Sequence, residues 1–267
     1  MTRKFQFYIV PTPIGNIKDI TLRAIEILKE VDLIACEDSR VTQKLLNHYD
    51  IKTKTISYHK YNERERVDLI LSEIESGKRI ALVSDAGTPL ICDPGNILLE
   101  ELQKNNITVT SLTGSCAVST FLSQVPRDTE EYTFIGFLPK TDKQIRDIYL
   151  KHKYTNMVFY DSPNRIVKSL QIIKDVSPNI KVAVGRELTK LFEEIFIDYI
   201  EKVIEHFSDE VKGEIVAMTF AVKSDELSDM RDKIEALKSK GFKSKEIAEI
   251  LSSLYNLNKN EIKNALY

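Results

Sequence analysis

Short apolar, β-rich runs alternate with amphipathic helical stretches along most of this chain, and that alternation restricts it to an α/β fold. Runs at 7–10, 33–36, 55–58, 80–84 and 107–112 are separated by helical periodicity near 20–30, 42–49 and 63–76, and from about 96. Strands such as Ile80-Ala81-Leu82-Val83 are continuously apolar, which suits strands covered on both faces of a parallel sheet. In the first helix Leu22, Ile25 and Leu28 recur every three residues beside Arg23, Glu26 and Lys29, so this stripe is expected to face the sheet.

The turn-rich stretch Gln124-Val125-Pro126-Arg127-Asp128 marks a domain boundary. A second α/β set follows, with strands at 132–137, 157–160, 181–184, 194–198 and 214–222 and helices near 142–152, 163–176 and 200–207. Its last three strands have little helix between them, so part of this sheet is expected to be antiparallel. Beyond a polar linker at 223–229, three short helices are expected at 230–239, 244–254 and 259–267. Gly241 would be a helix stop, Ser244 an N-cap, and Asn258 with Glu261 a capping box. The expected organisation is an N-terminal α/β domain with a parallel sheet (1–126), a C-terminal α/β domain with a mixed sheet (127–223) and a small helical module (224–267).

A length of 267 residues fits two domains with an appendage, and a formal net charge of -2 argues against bulk electrostatic capture of nucleic acid. Any such substrate would need a local basic surface. Two segments qualify: 140–153, with Lys140, Lys143, Arg146, Lys151 and Lys153 against Asp142 and Asp147, and the C-terminal helices, which are also basic on balance. Either could guide RNA or be a solvated helix face. Cys36, Cys92 and Cys116 are widely spaced and lie in or beside apolar runs, which fits a reducing cytosol, and neither a signal peptide nor a membrane span is apparent.

With only nine glycines, the positions of Gly15, Gly87, Gly95 and Gly114 after apolar strands are informative. In an open α/β sheet small molecules bind at the carboxyl ends of strands, where glycine lets backbone approach the ligand. A cleft lined by Pro11-Thr12-Pro13-Ile14-Gly15-Asn16, Ser84-Asp85-Ala86-Gly87-Thr88-Pro89 and Thr113-Gly114-Ser115-Cys116-Ala117 is therefore expected. The chain lacks a phosphate-binding P-loop, a G-x-G-x-x-G after the first strand and H-E-x-x-H, and His48, His59, His152 and His206 are scattered without metal-ligand spacing. The cofactor that fits best has no phosphates and is held by backbone groups, an acidic side chain and apolar contacts; no metal is expected.

The blocks at 8–17, 32–40, 81–91, Gly136-Phe137-Leu138-Pro139 and Arg186-Glu187-Leu188-Thr189-Lys190 occur in an order that resembles the ribosomal RNA 2′-O-methyltransferase I family, and the likeness runs to the final residues. That resemblance implies the tetrapyrrole methylase fold: two α/β domains with S-adenosylmethionine between them, usually in a homodimer. It further implies methylation of a cytidine ribose 2′-hydroxyl in the decoding region of small-subunit rRNA, within the assembled subunit. Carried over by position, the donor would meet Ile14, Ser84, Asp85, Gly87, Thr88, Cys116 and Ala117, with Asp161 or Ser162 closing the pocket. Asn164 and Phe192 stand where relatives frequently carry histidine, so neither can supply an essential imidazole.

Methyl transfer from a sulfonium is an in-line displacement, so positioning comes first and a base for the hydroxyl proton second. Candidate bases are Glu37, Asp38 and Glu187, with Arg40, Arg186 and Lys190 for phosphate or ribose contacts. Each has a structural rival. Residues 37–40 could cap the second helix, and Arg186, Glu187 and Lys190 could form an interdomain salt-bridge set. Two other functions stay open: a corrin-ring C-methyltransferase, which the extra C-terminal helices oppose, and a non-catalytic ribosome-binding factor.

Overall fold

The computed structural model describes residues 5–209, 212–222 and 226–255. The first half reads β1 (Phe7–Ile9), α1 (Leu22–Glu30), β2 (Leu33–Cys36), α2 (Ser39–His48), β3 (Thr55–Ser57), α3 (Glu63–Glu75), β4 (Ile80–Val83), α4 (Asn96–Lys104), β5 (Val109–Ser111) and α5 (Ala117–Leu122). Its strands form one parallel sheet in the order β3-β2-β4-β1-β5. Successive residues of the central strands bury on opposite faces. Tyr8, Ile34, Cys36, Ala81 and Val83 pack with α1 and α2, whereas Phe7, Ile9, Leu33, Ala35, Ile80 and Leu82 pack with α3 and α4. Covering on both sides is why these strands carry no polar alternation.

The second half reads β6 (Tyr132–Phe137), α6 (Asp142–His152), β7 (Asn156–Asp161), α7 (Ile166–Lys174), β8 (Lys181–Arg186), β9 (Glu194–Tyr199), α8 (Ile200–His206) and β10 (Ile215–Thr219). The sheet order is β6-β7-β10-β8-β9, with only β6 and β7 parallel; β10 runs antiparallel to both its neighbours, and β8 to β9. The mixed sheet expected from the short connections is present. The expected boundary near 126 falls between α5 and β6, yet α5 itself buries Val118, Phe121 and Leu122 with Val158, Ala183, Val216 and Met218 of the second sheet. The described chain divides into a larger unit ending at Phe220 and a smaller one beginning at Ala221.

Three local expectations change. Of the expected stripe Leu28 is fully buried and Ile25 packs partly against the same core, but Leu22 is 79% exposed and Ala24 takes its place on the buried face. Steps of three residues rotate by 300°, so the stripe read from Leu22 drifts off the buried face, whereas a step of four, from Ala24 to Leu28, stays on it. The helix of the small unit, α9 (Glu226–Ser239), begins inside the stretch read as linker and ends at Gly241, whose φ of +87° lets Phe242 N–H reach the Leu237 carbonyl at 3.2 Å. Helix α10 (Ser244–Tyr255) takes Ser244 as its first residue rather than as its N-cap, with Ile247 N–H bonded to the Lys243 carbonyl at 3.0 Å, and packs Ile247, Ala248 and Leu251 against Ile234. The third helix and the Asn258–Glu261 box lie outside the described residues.

The ring of Phe121 is fully buried and lies so close to Gly185 that a Cβ there would sit 2.7 Å from it. Truncation would leave a cavity between α5 and the second sheet. Phe121→Ala is expected to lower unfolding free energy by about 3–5 kcal/mol, measured by urea titration; a loss under about 1 kcal/mol would mean that α5 packs elsewhere.

Candidate active site

The three loops anticipated from glycine placement converge at the carboxyl ends of β1, β4 and β5. Thr12 and Gly87 exchange backbone hydrogen bonds of 2.9 and 3.0 Å, the Thr12 hydroxyl donates to the Ser84 carbonyl at 3.0 Å, and the Thr88 hydroxyl donates to the Ser115 carbonyl at 2.9 Å. The first loop also meets the second sheet. Gly15 lies where a Cβ would come within 2.6 Å of the Leu188 carbonyl, Lys190 Cγ and Thr189 Oγ1, and Asn16 N–H donates to Thr189 Oγ1 at 3.0 Å. Only glycine permits that approach.

Between these loops and the second sheet lies a cavity of about 380 Å³. Its apolar wall includes Ile14, Ala117, Leu188, Ile215 and Val216, and its polar wall holds the carboxylate residues Glu37, Asp85 and Asp93. Asp85, Gly87, Thr88, Cys116, Asp161 and Ser162 line it as well. Ser84 does not. It is buried behind the wall, its hydroxyl donating to the carbonyls of Ala86 and Gly87 at 3.3 Å each, so it shapes the loop. Asp161 is 3% exposed, and its carboxylate is engaged by Ser162 N–H at 2.8 Å, the Ser169 hydroxyl at 2.6 Å and Arg165 at 3.5 Å, which suits a fixed wall.

Asp85 does not cap its own turn. Its Oδ1 accepts Asp38 N–H at 2.9 Å, which ties the loop after β4 to the loop after β2. Burial raises the carboxyl of Asp85, and the Asp38 N–H bond only partly offsets this, with the Asp38 carboxylate acting against that bond. Burial likewise raises Glu37, helped by Asp85 and Asp93, and raises Asp93, although Ser84 partly offsets the latter. An acidic wall that has no ion-pair partner among the described residues, inside an apolar cavity, suits a ligand that brings positive charge. The sequence reading missed Asp93, which stands two residues beyond the 81–91 block in Asp93-Pro94-Gly95. The end of that loop is staked by buried Glu63, whose Oε1 accepts Gly95 N–H at 2.9 Å and the Tyr58 hydroxyl at 2.6 Å.

Of the expected catalytic set, only Glu37 lines the cavity. Asp38 is the N-cap of α2, accepting Arg40 N–H at 2.8 Å and gripping the Arg40 guanidinium at 2.7 Å, which holds its carboxyl down at about 2. Arg186 pairs with Glu194 at 2.8 Å beside His206. Burial pulls Lys190 down, but Glu187 at 2.7 Å and Glu214 at 3.0 Å outweigh it and keep the ammonium charged. These are ion pairs, but all within the second-sheet region rather than between domains. Burial pushes Glu187 up, and the Lys190 contact outweighs it, leaving its carboxyl low. Glu187 at φ +53° and Thr189 at φ +65° hold the left-handed conformations that carry Leu188 into the cavity.

The chain matches the family described as Tetrapyrrole (Corrin/Porphyrin) Methylases over residues 6–204. It is 39% identical over 266 residues to the ribosomal RNA small subunit methyltransferase I of Vibrio cholerae, covering 96% of this chain and 92% of that one. To the protein of the same name from Hydrogenobaculum it is 44% identical over 218 residues, covering 79% and 94%. The chain belongs to the ribosomal RNA small subunit methyltransferase I family of tetrapyrrole methylases. The resemblance carried by the motif blocks holds, and the chain is a methyltransferase. Among solved structures, a diphthine synthase superimposes with a TM-score of 0.65 at 11% identity over 80% of this chain and 89% of that one. A uroporphyrin-III C-methyltransferase from Thermus thermophilus, complexed with S-adenosylhomocysteine, gives 0.56 at 16% identity, covering 80% and 96%. At such identities the likeness shows the shared fold.

The raised carboxyls give a stability signature. Each is protonated more readily in the folded chain than in the unfolded one, so its contribution is full below the ordinary carboxylate pKa of about 4 and is lost as pH rises through the raised value. Asp93→Asn removes one ionisation from the cluster. Its melting temperature relative to the unaltered protein is expected to rise between pH 4 and pH 7 in differential scanning calorimetry. A difference that stays flat across that range would show that burial does not raise the Asp93 carboxyl.

Proposed function

We propose that this methyltransferase moves the methyl group of S-adenosylmethionine to the ribose 2′-hydroxyl of a cytidine in the decoding region of small-subunit ribosomal RNA, within the assembled subunit. The observation that carries the donor part is the cavity itself, in which carboxylates face apolar walls and no phosphate-binding turn is present among the described residues. A donor with a sulfonium and an ammonium group, an adenine and no phosphates fits those walls. Asp85 and Asp93 would hold its cationic groups, Ile14, Ala117, Leu188 and Val216 its apolar surfaces, and the backbone about Gly87 and Cys116 its polar edges.

The bound donor supplies an electrophilic methyl carbon. The chain's own task is to exclude water and align the incoming hydroxyl, and the cross-tied loops do this by fixing the walls before substrate arrives. Glu37 is the residue best placed to accept the hydroxyl proton. Burial together with Asp85 and Asp93 lifts its proton affinity toward the working range, whereas Asp38 is held too acidic to compete. The RNA reading draws support from the printed names of relatives that share 36–45% identity with this chain, while the corrin-type neighbours share its fold at 16% or less. We further propose a cytoplasmic homodimer. Among the described residues no helix is long and apolar enough to cross a membrane. The exposed Lys140 just before α6, with Lys143, Arg146 and Lys151 along it, would meet phosphates at the particle surface.

Calorimetry with S-adenosylhomocysteine is expected to give one site, weakened roughly 10–100-fold by Asp85→Asn, the range of one charged hydrogen bond. Unchanged affinity would move the donor out of this cavity. Glu37→Gln is expected to lower kcat by about 10²–10⁴ with donor affinity little altered. Ribose-methylation mapping of rRNA with and without the gene tests the substrate, and identical maps would remove the rRNA assignment.

A further inference from the structure

The Gly136-Phe137-Leu138-Pro139 block has no role in the reading above, and its geometry gives it one. Along β6 the register shifts, with Phe134 opposite Val158 and Phe137 opposite Tyr160, so three residues on one strand span two on the other. Residues three apart on a regular strand face opposite sides. The extra residue cancels that alternation, with Gly136 at φ +72°. Both phenyl rings therefore reach the Tyr160 ring, at centroid distances of 5.1 Å from Phe134 and 5.3 Å from Phe137.

The two rings end up in different settings. Phe137 lines the cavity yet is 62% exposed, while the apolar walls at Ile14, Leu188, Ile215 and Val216 are each under 9%. The ring is held at the mouth by one aromatic contact and by a fixed backbone after it. Tyr160 supports it, Leu138 beside it is buried, and Arg165 donates to the Leu138 and Pro139 carbonyls. Ile91, 49% exposed, and exposed Cys92 continue the apolar lip, and a Cβ on Gly136 would lie 3.5 Å from the Cys92 sulfur. Exposed Lys140 follows the ring by three residues.

We infer that Phe137 is the stacking platform for a nucleobase of the RNA substrate, holding the nucleotide so that its sugar enters the cavity. An aromatic face with a lysine beside it is the common device for gripping an unpaired base. The acidic wall of Glu37, Asp85 and Asp93 repels phosphate, so the neutral sugar and base enter while the backbone stays outside near Lys140. This inference rests on the RNA and donor readings above.

Steady-state kinetics on small ribosomal subunits from cells lacking the gene, together with S-adenosylhomocysteine calorimetry, tests it with Phe137→Trp, Phe137→Leu and Phe137→Ala. Loss of one base stack corresponds to about 5–150-fold. The Leu and Ala variants are expected to raise KM for the subunit within that range, with S-adenosylhomocysteine affinity within about two-fold of the unaltered protein, and Trp is expected to restore KM. A Leu variant with unchanged KM overturns the stacking role, because an apolar side chain of any shape would then suffice. A parallel loss of S-adenosylhomocysteine affinity assigns the ring to the donor pocket and also overturns it. Unaltered protein that binds S-adenosylhomocysteine but methylates no RNA overturns the substrate reading, and the ring's role with it.

Discussion

Everything at the cavity depends on one close approach: the backbone at Gly15 lies directly against residues 188–190, and Asn16 N–H is bonded to the Thr189 hydroxyl. Without that contact the loops of the parallel sheet would face open solvent and Leu188 would not close the apolar wall. The approach requires a residue without a side chain on one partner and left-handed backbone at Glu187 and Thr189 on the other. Non-glycine residues in that region cost on the order of 1–3 kcal/mol each. The surrounding bonds over-determine the strained turn: Lys190 joins Glu187 to Glu214, Glu187 accepts Glu214 N–H at 3.0 Å, and Glu193 accepts Thr189 N–H at 2.8 Å.

Within the 186–190 block, Glu187 and Lys190 therefore hold the turn in the folded chain. Charge-assisted hydrogen bonds are strong enough to hold a strained loop, and Glu187 and Lys190 spend their bonding capacity on it. The acidic groups of the cavity are in the opposite situation. Glu37 and Asp93 are crowded, half-buried and short of cations, so a positively charged ligand relieves their mutual repulsion. Glu187, Glu194 and Glu214 are held in ion pairs with Lys190 and Arg186, whereas among the described residues Glu37, Asp85 and Asp93 have no ion-pair partner.

Continuously apolar strands, alternating helices and glycine-bearing loops were legible because each is a local consequence of packing a sheet on both faces. Eight of the nine expected donor contacts line the cavity, and the exception, Ser84, lies behind it, its hydroxyl bonded to Gly87 of its own loop and its carbonyl to Thr12 of the distant first loop. Glu37 and Asp38 show the limit of local reading. They are neighbours of the same type, and the one that caps α2 is committed to Arg40 while the other faces the cavity.

Sequence by itself determined the fold class, the two α/β sets, the mixed second sheet and the loops at the strand ends, since periodicity and turn chemistry act over a few residues. Tertiary structure alone decided that α5 packs on the second sheet, that Asp93 joins Glu37 and Asp85, and that a one-residue bulge turns Phe137 to the cavity mouth. Those outcomes depend on which segments meet across tens of residues, and no local pattern encodes the meeting.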